Sequence, residues 1–266
     1  MSAKYKTSGK TKVLITGASS GIGARYADRF AKRGHDLVLV ARDGARLDAL
    51  AARLRRETDV GVEVLRADLT NAADLQAVEA KLRDDAAIEV LVNNAGAANW
   101  GGFVGQSGDA AAGIIALNVT ALTRLSAAVA PRFTAAGGGA IVNISSVVGL
   151  APELGMTVYG ATKAFVLFFS QGLQRELGPK GVYVQAVLPA ATRTEIWDRG
   201  GADINQIEGV MEVDELVDAA LVGFDRREAI TIPPLPDAAQ WEALQAARMA
   251  MLPNFRQPHP AARYLA

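Results

Sequence analysis

The sequence predicts an α/β fold: a single doubly wound parallel sheet of about seven strands, with helices on both faces. Three observations carry this. Short apolar runs alternate with helical patterns through most of the 266 residues. The runs are β-branched and apolar at successive positions, as strands covered on both faces are. A glycine-rich turn follows the first run and opens directly into a helix.

Taken in order, the apolar runs predict strands at 13–16, 37–40, 62–65, 90–92, 140–145, 182–188 and 230–232. Helical periodicity fills the intervals at 21–33, 44–57, 72–85, 109–130 and 158–178, with one more helix near 237–251. Repeated strand–helix units imply right-handed crossovers and hence a parallel sheet. No repeat or low-complexity linker interrupts the chain. The expectation is one Rossmann-type domain over 1–266, with a substrate lid at roughly 190–212 and a C-terminal extension from roughly 233.

Composition narrows the function. Half of the chain is hydrophobic, enough to bury a core without metals or disulfides. The absence of cysteine removes a thiol nucleophile, a Cys-based zinc site and an iron–sulfur cluster, and no metal site is expected. Lys plus Arg (28) balance Asp plus Glu (28), which argues against a nucleic-acid partner. The first twelve residues are polar, unlike a signal peptide. No apolar run approaches the roughly 18–20 residues that span a bilayer. The expectation is a cytoplasmic protein with no membrane partner.

The chemistry lies at the ends of the strands. After the first comes Thr16-Gly17-Ala18-Ser19-Ser20-Gly21-Ile22-Gly23. Such a turn brings backbone close to a pyrophosphate at a helix N-terminus, although similar turns also join strands to helices with no ligand. The second strand ends in Ala41-Arg42, where many dinucleotide folds carry an acid for the ribose hydroxyls. A guanidinium there suits a 2′-phosphate, but most arginines are simply solvated. Asp68, followed by Leu69, ends the third strand and serves equally as an adenine contact or a turn residue. The fourth ends in Asn93-Asn94-Ala95-Gly96, by itself an ordinary turn. Ser145-Ser146 follows the fifth strand, and Tyr159 and Lys163 stand one turn apart at the start of a helix. An ammonium beside a phenol favours proton shuttling, although most such pairs are only packing.

In aggregate these pieces resemble the classical short-chain dehydrogenase/reductase family over residues 12–194, in order and at family-like intervals. The resemblance implies hydride transfer between NADP(H) and a carbonyl or secondary alcohol, with NADP(H) preferred and NAD(H) possible. It implies catalytic roles for Asn118, Ser146, Tyr159 and Lys163, with Asn118 supporting a water-mediated proton relay and Lys163 lowering the tyrosine pKa. It assigns Gly17, Gly21, Gly23 and Ile22 to the cofactor turn, with Ser19 and Ser20 as added donors, and Asp68 to adenine. Asn93, Ala95 and Gly96 match the motif beneath the cofactor. Tyr159 and Lys163 also reach it, as do Pro189, Thr192 and Thr194 after the sixth strand. There the family's Pro-Gly-x-x-x-Thr becomes Pro189-Ala190-Ala191-Thr192-Arg193-Thr194, and alanine does not take positive φ cheaply.

Three other classes are compatible with these motifs. A silent NADP(H)-binding regulator would keep the fold and lose the catalytic set. An epimerase or dehydratase of the extended relatives needs more chain after Thr194. A ketoreductase of acyl-carrier-protein substrates wants a basic patch, for which Arg124, Arg132 and Arg175 are candidates. Trp100, Phe103, Val148, Leu150, Trp197 and Met211 suggest a small apolar carbonyl or alcohol substrate. Apolar residues all round the helices at 109–130 and 158–178 suggest a homodimer or homotetramer.

Overall fold

The computed structural model describes residues 11–99, 102–197, 201 and 203–265. Its strands are β1 Lys12–Thr16, β2 Asp36–Ala41, β3 Val62–Arg66, β4 Ile88–Asn93, β5 Ala140–Ile144, β6 Tyr183–Val187 and β7 Ile230–Thr231. All pair in parallel, in the order β3-β2-β1-β4-β5-β6-β7. Each predicted strand is present, with ends shifted by at most two residues. Strand order reverses between β1 and β4, which opens a crevice at their carboxyl ends.

Alternation along the strands sorts side chains onto two cores. Val13 and Ile15 join one face with Tyr26 and Phe30 of α1 (Gly21–Lys32) and Leu47 and Leu54 of α2 (Gly44–Glu57). Leu14 turns to the other face with Leu75, Val78 and Leu82 of α3 (Ala72–Asp84) and Leu125, Val129 and Phe133 of a long helix. That helix comprises α4 (Gly108–Ile115), a π-helical segment (Ala116–Ala121) and α5 (Leu122–Ala136). It runs past the expected end because Pro131 is accommodated inside it. The stop is Gly137, left-handed at φ 66°. At 29 residues, Gly108–Ala136 is also long and apolar enough to cross a bilayer, which corrects the expectation that no such run exists. Its apolarity is explained by the core, where Leu125, Val129 and Phe133 are buried against the sheet.

Helix α6 (Thr157–Leu177) covers the far end of the sheet. A further helix, α7 (Val213–Asp225), has no counterpart in the sequence expectation. Its Leu216, Val217, Ala220 and Leu221 are buried, and ion pairs from Arg29 to Asp218 and Arg33 to Asp225 tie it to α1. The chain divides into two compact units, Met1–Pro233 and Pro234–Ala266. The second holds α8 (Ala238–Met251), whose N-terminus is capped by Asp237, and two short 3-10 turns.

Candidate active site

The glycine turn is bonded into both neighbouring strands. Ala18 N–H donates to the Val40 carbonyl at 3.2 Å. Asn94 Nδ2 donates to the carbonyls of Thr16 (2.9 Å) and Gly17 (3.2 Å), while Thr16 Oγ1 accepts from the N–H groups of Asn94 and Ala95 at 3.0 Å. Gly23 stands so close to the Gly17 carbonyl that a Cβ would collide with it. Any larger residue would push α1 off the turn. Ile22 packs against the core beside them. Asn93 turns the other way, with Nδ2 donating to Ser126 Oγ (3.1 Å) and Asn143 Oδ1 (2.9 Å) in the protein interior. Its side chain therefore braces the sheet. The amide that grips the turn is Asn94, to which the family resemblance assigns no role.

Ser146, Tyr159 and Lys163 come together beyond β5. The Tyr159 phenol lies close enough to the Ser146 hydroxyl for that group to lower its pKa. Ser146 Oγ also donates to the Pro189 carbonyl (3.1 Å) and accepts from Val148 N–H (3.2 Å). Ser145 Oγ instead donates to the Lys163 carbonyl at 2.7 Å, so the two adjacent serines have separate roles. Lys163 is buried, donates from Nζ to the Ile144 carbonyl at 2.8 Å, and lies 5.5 Å from the Tyr159 ring centre. A Cβ on Gly149 would come within 2.7 Å of Ala164 N, so only glycine lets the Ser146 turn approach α6 this closely.

Burial dominates the electrostatics here. It pushes the Tyr159 phenol up to about 12, against the lowering effect of the Ser146 hydroxyl. It also pushes the Lys163 ammonium down to about 8. The expected lowering of the tyrosine by the lysine is therefore not seen in the protein alone, because desolvation outweighs a charge held over the ring. A neutral phenol near pH 7 is nonetheless a competent proton donor.

Asn118 sits in the π-helical segment and is 2% exposed. Its Oδ1 accepts from Ala97 N–H (2.9 Å), and its Nδ2 donates to the Ala97 carbonyl (2.9 Å) and Thr162 Oγ1 (3.1 Å). The amide is thus a clamp between the β4 extension and α6. Gly96 lies beside it: a Cβ there would stand 3.3 Å from Asn118 Oδ1 and 3.6 Å from Lys163 Nζ.

At the other end of the crevice Arg42 is exposed, with no ion-pair partner among the described residues. Asp68 Oδ1 accepts from Thr70 N–H (3.0 Å) and Thr70 Oγ1 (2.7 Å), forming the turn considered above. Burial would raise its pKa, but those bonds and the Arg42 charge hold it below the usual carboxylate range. The Leu69 side chain is buried in the core, leaving its backbone beside Asp68. Ser19 and Ser20 lie half-buried in the glycine turn.

After β6, Thr192 bridges Met211, and Trp197 Nε1 donates to the Thr192 carbonyl at 2.8 Å. Trp197 therefore packs this loop internally. Thr194 reaches α1, with Cγ2 3.1 Å from where a Gly21 Cβ would be. Ala190 is accommodated without positive φ, which Met156 and Arg227 alone adopt among the described non-glycine residues. Phe103 and Leu150 are exposed, while Val148 and Met211 are half-buried. Trp100 lies outside the described residues. Of the three arginines that are candidates for a basic docking patch, Arg175 is exposed and the other two have partners within the chain. Arg124 is paired with Glu79 at 2.6 Å, and Arg132 donates to the carbonyls of Leu82, Ala86 and Ile88.

A glycine cradle at a strand–helix junction, an unpaired arginine at one end and a Ser–Tyr–Lys cluster at the other fit an extended dinucleotide. The sequence profile described as short chain dehydrogenase matches residues 11–205. The chain belongs to that family. It has the seven-stranded parallel sheet of that family's fold. Among solved structures it resembles a short-chain dehydrogenase from Sphingobium yanoikuyae in complex with NADPH, at 68% identity and a TM-score of 0.95, over 96% of this chain and 100% of that one. It also resembles the bulky-bulky ketone specific alcohol dehydrogenase from Comamonas testosteroni, at 59% identity and a TM-score of 0.90, over 96% and 99% of the two chains. A curated relative, the very-long-chain 3-oxoacyl-CoA reductase-A of Danio rerio, is 35% identical over 187 residues, 69% of this chain and 58% of that protein. The chain thus spans about three-fifths of the length of the curated relatives it matches.

Proposed function

We propose that this short-chain dehydrogenase reduces ketones with bulky apolar groups, and oxidises the matching secondary alcohols, using NADP(H) in preference to NAD(H). The observation that carries the reading is the cluster of Ser146, Tyr159 and the buried Lys163, whose Nζ lies 5.5 Å from the Tyr159 ring centre. The substrate class follows from the 59% identity to an alcohol dehydrogenase specific for bulky-bulky ketones. Gly17, Gly21, Gly23 and Thr194 would hold the pyrophosphate, Arg42 the 2′-phosphate, Asp68 the adenine, and Lys163 and Thr192 the nicotinamide riboside. When bound, the reduced nicotinamide supplies hydride to the carbonyl carbon.

The chain's own residues do the rest. Tyr159 donates its phenolic proton to the carbonyl oxygen, and Ser146 hydrogen-bonds the same oxygen as its charge grows. Lys163, charged below about pH 8, stabilises the phenolate that remains. Asn118 keeps Ala97 in place beside α6 through its bonds to Ala97 and Thr162.

A panel of ketones flanked by aryl or branched alkyl groups, followed by NADPH absorbance, tests the reading. Tight NADPH binding with no turnover on any of them would favour a silent regulator instead. We also propose a homo-oligomer built on α6, where Phe168 is 78% exposed and Phe165 stacks on Phe169 at 5.6 Å. Light scattering that returns a monomer mass at micromolar concentration would refute it.

A further inference from the structure

Arg42 is four residues from a second arginine with a different status. Arg46 stands in the first turn of α2, where its N–H donates to Asp43 Oδ1 at 3.0 Å. Its Nη1 lies 2.6 Å from Glu195 Oε2, and its Nε lies 3.3 Å from Asp43 Oδ2. Glu195 directly follows Thr194, which packs over Gly21. Glu195 also lines a hollow of about 310 Å³ with Gly21, Ala24 and Arg25. The Arg46 side chain therefore points from the corner that Arg42 occupies back across the rim of the glycine turn. The partners bring opposite charges together in a half-exposed place, with 48% and 45% of their side-chain surfaces accessible. Nothing in the packing of α2 requires this pair, because the helix is already capped by Asp43.

We propose that Arg46 is a second ligand for the cofactor's 2′-phosphate, and that Glu195 holds the same guanidinium when no phosphate is there. This rests on the NADP(H) reading above. A phosphate carries more charge and more acceptor oxygens than a carboxylate, and it presents them between two arginines. It therefore displaces Glu195 from an exposed pair that is weak in water. NADH has no group to compete for Arg46, so its binding is indifferent to the pair. Glu195 thereby sets the affinity for one cofactor without touching the other, and Arg46 joins Arg42 as a specificity-determining residue.

The test is equilibrium titration of the purified protein with NADPH, NADH, adenosine 2′,5′-bisphosphate and AMP, with no substrate and no turnover. Arg46→Gln should weaken NADPH and the bisphosphate by about three- to tenfold, with NADH and AMP within twofold. Glu195→Gln should tighten NADPH and the bisphosphate about two- to fivefold and leave the other two unchanged. The double variant should behave like Arg46→Gln alone. If both single variants shift NADPH and NADH equally, or shift neither, the pair is only a structural brace and the proposal fails. Arg42→Ala separates this from the parent reading. Selective loss of NADPH there, with no selective loss in Arg46→Gln, defeats the Arg46 role alone. A parent protein that binds NADPH and NADH equally defeats both.

Discussion

The two ends of the crevice solve the problem of charge in opposite ways. At the catalytic corner, Lys163 and Ser146 are each 6% exposed and Asn118 is 2% exposed, and each is bonded to backbone. At the arginine rim, Arg42 and Arg46 stand in solvent. In the corner, burial pushes the Tyr159 phenol up and the Lys163 ammonium down, and Lys163, Ser146 and Asn118 each have a backbone partner. At the rim, solvent screens each charge, so recognition depends on adding several weak contacts. On the proposed reading the difference separates rate from selectivity: the corner would be preorganised for one proton transfer, and the rim would sort cofactors by a single phosphate.

The largest expected effect strikes the corner. Tyr159→Phe removes only the phenolic hydroxyl, and turnover should fall about 10²–10⁴-fold. NADPH affinity should stay within twofold. A variant that keeps near-normal turnover on an accepted ketone would remove Tyr159 from the role of acid and erase the contrast between the two ends.

At the rim, Arg42→Ala should weaken NADPH roughly tenfold to a hundredfold and leave NADH unchanged, as judged by fluorescence titration. Added salt should weaken NADPH binding to the parent more than to this variant, because the lost contact is exposed and screened. A loss insensitive to salt would mean that the rim is as desolvated as the corner.

The smallest effect is on stability, and its sign is unusual. Burial holds Lys163 at about 8, below its ordinary 10.5, so the folded protein resists the charged form. Between those values the unfolded chain keeps a proton that the folded one releases. The cost is therefore full below pH 8 and fades as pH rises towards 10.5. Lys163→Met should abolish activity yet stabilise the cofactor-free protein by about 1–2 kcal/mol near pH 7, after allowance for the unpaired Ile144 carbonyl. The gain should shrink at pH 10 in denaturant titrations. For the same reason the parent's rate of ketone reduction should decline as pH rises through about 8. A destabilised Lys163→Met at pH 7 would show that the Ile144 bond outweighs the desolvation.

Much of this was determined by the sequence alone. Continuous apolar strands, the 17–23 glycine turn and the Tyr159–Lys163 spacing are local patterns, and local patterns specify elements and order. They were enough to locate seven strands and to put Tyr159 and Lys163 on one helix face, while the catalytic roles of Ser146, Tyr159 and Lys163 are what the family resemblance implies. Tertiary structure decided what depends on neighbours distant in the chain. Asn93 and Asn94 are chemically identical side chains, and only the alternation of β4 sends one into the core and the other to the glycine turn. Arg124 and Arg132 look like a surface patch until α3 and the β4 approach supply Glu79 and three carbonyls. Gly149 acquires its purpose only when α6 comes within reach, and Glu195 meets Arg46 across 149 residues of chain. The Tyr159 and Lys163 pKa shifts belong to the same class. Desolvation is a property of the assembled interior, and no spacing in a sequence records how much water a fold excludes.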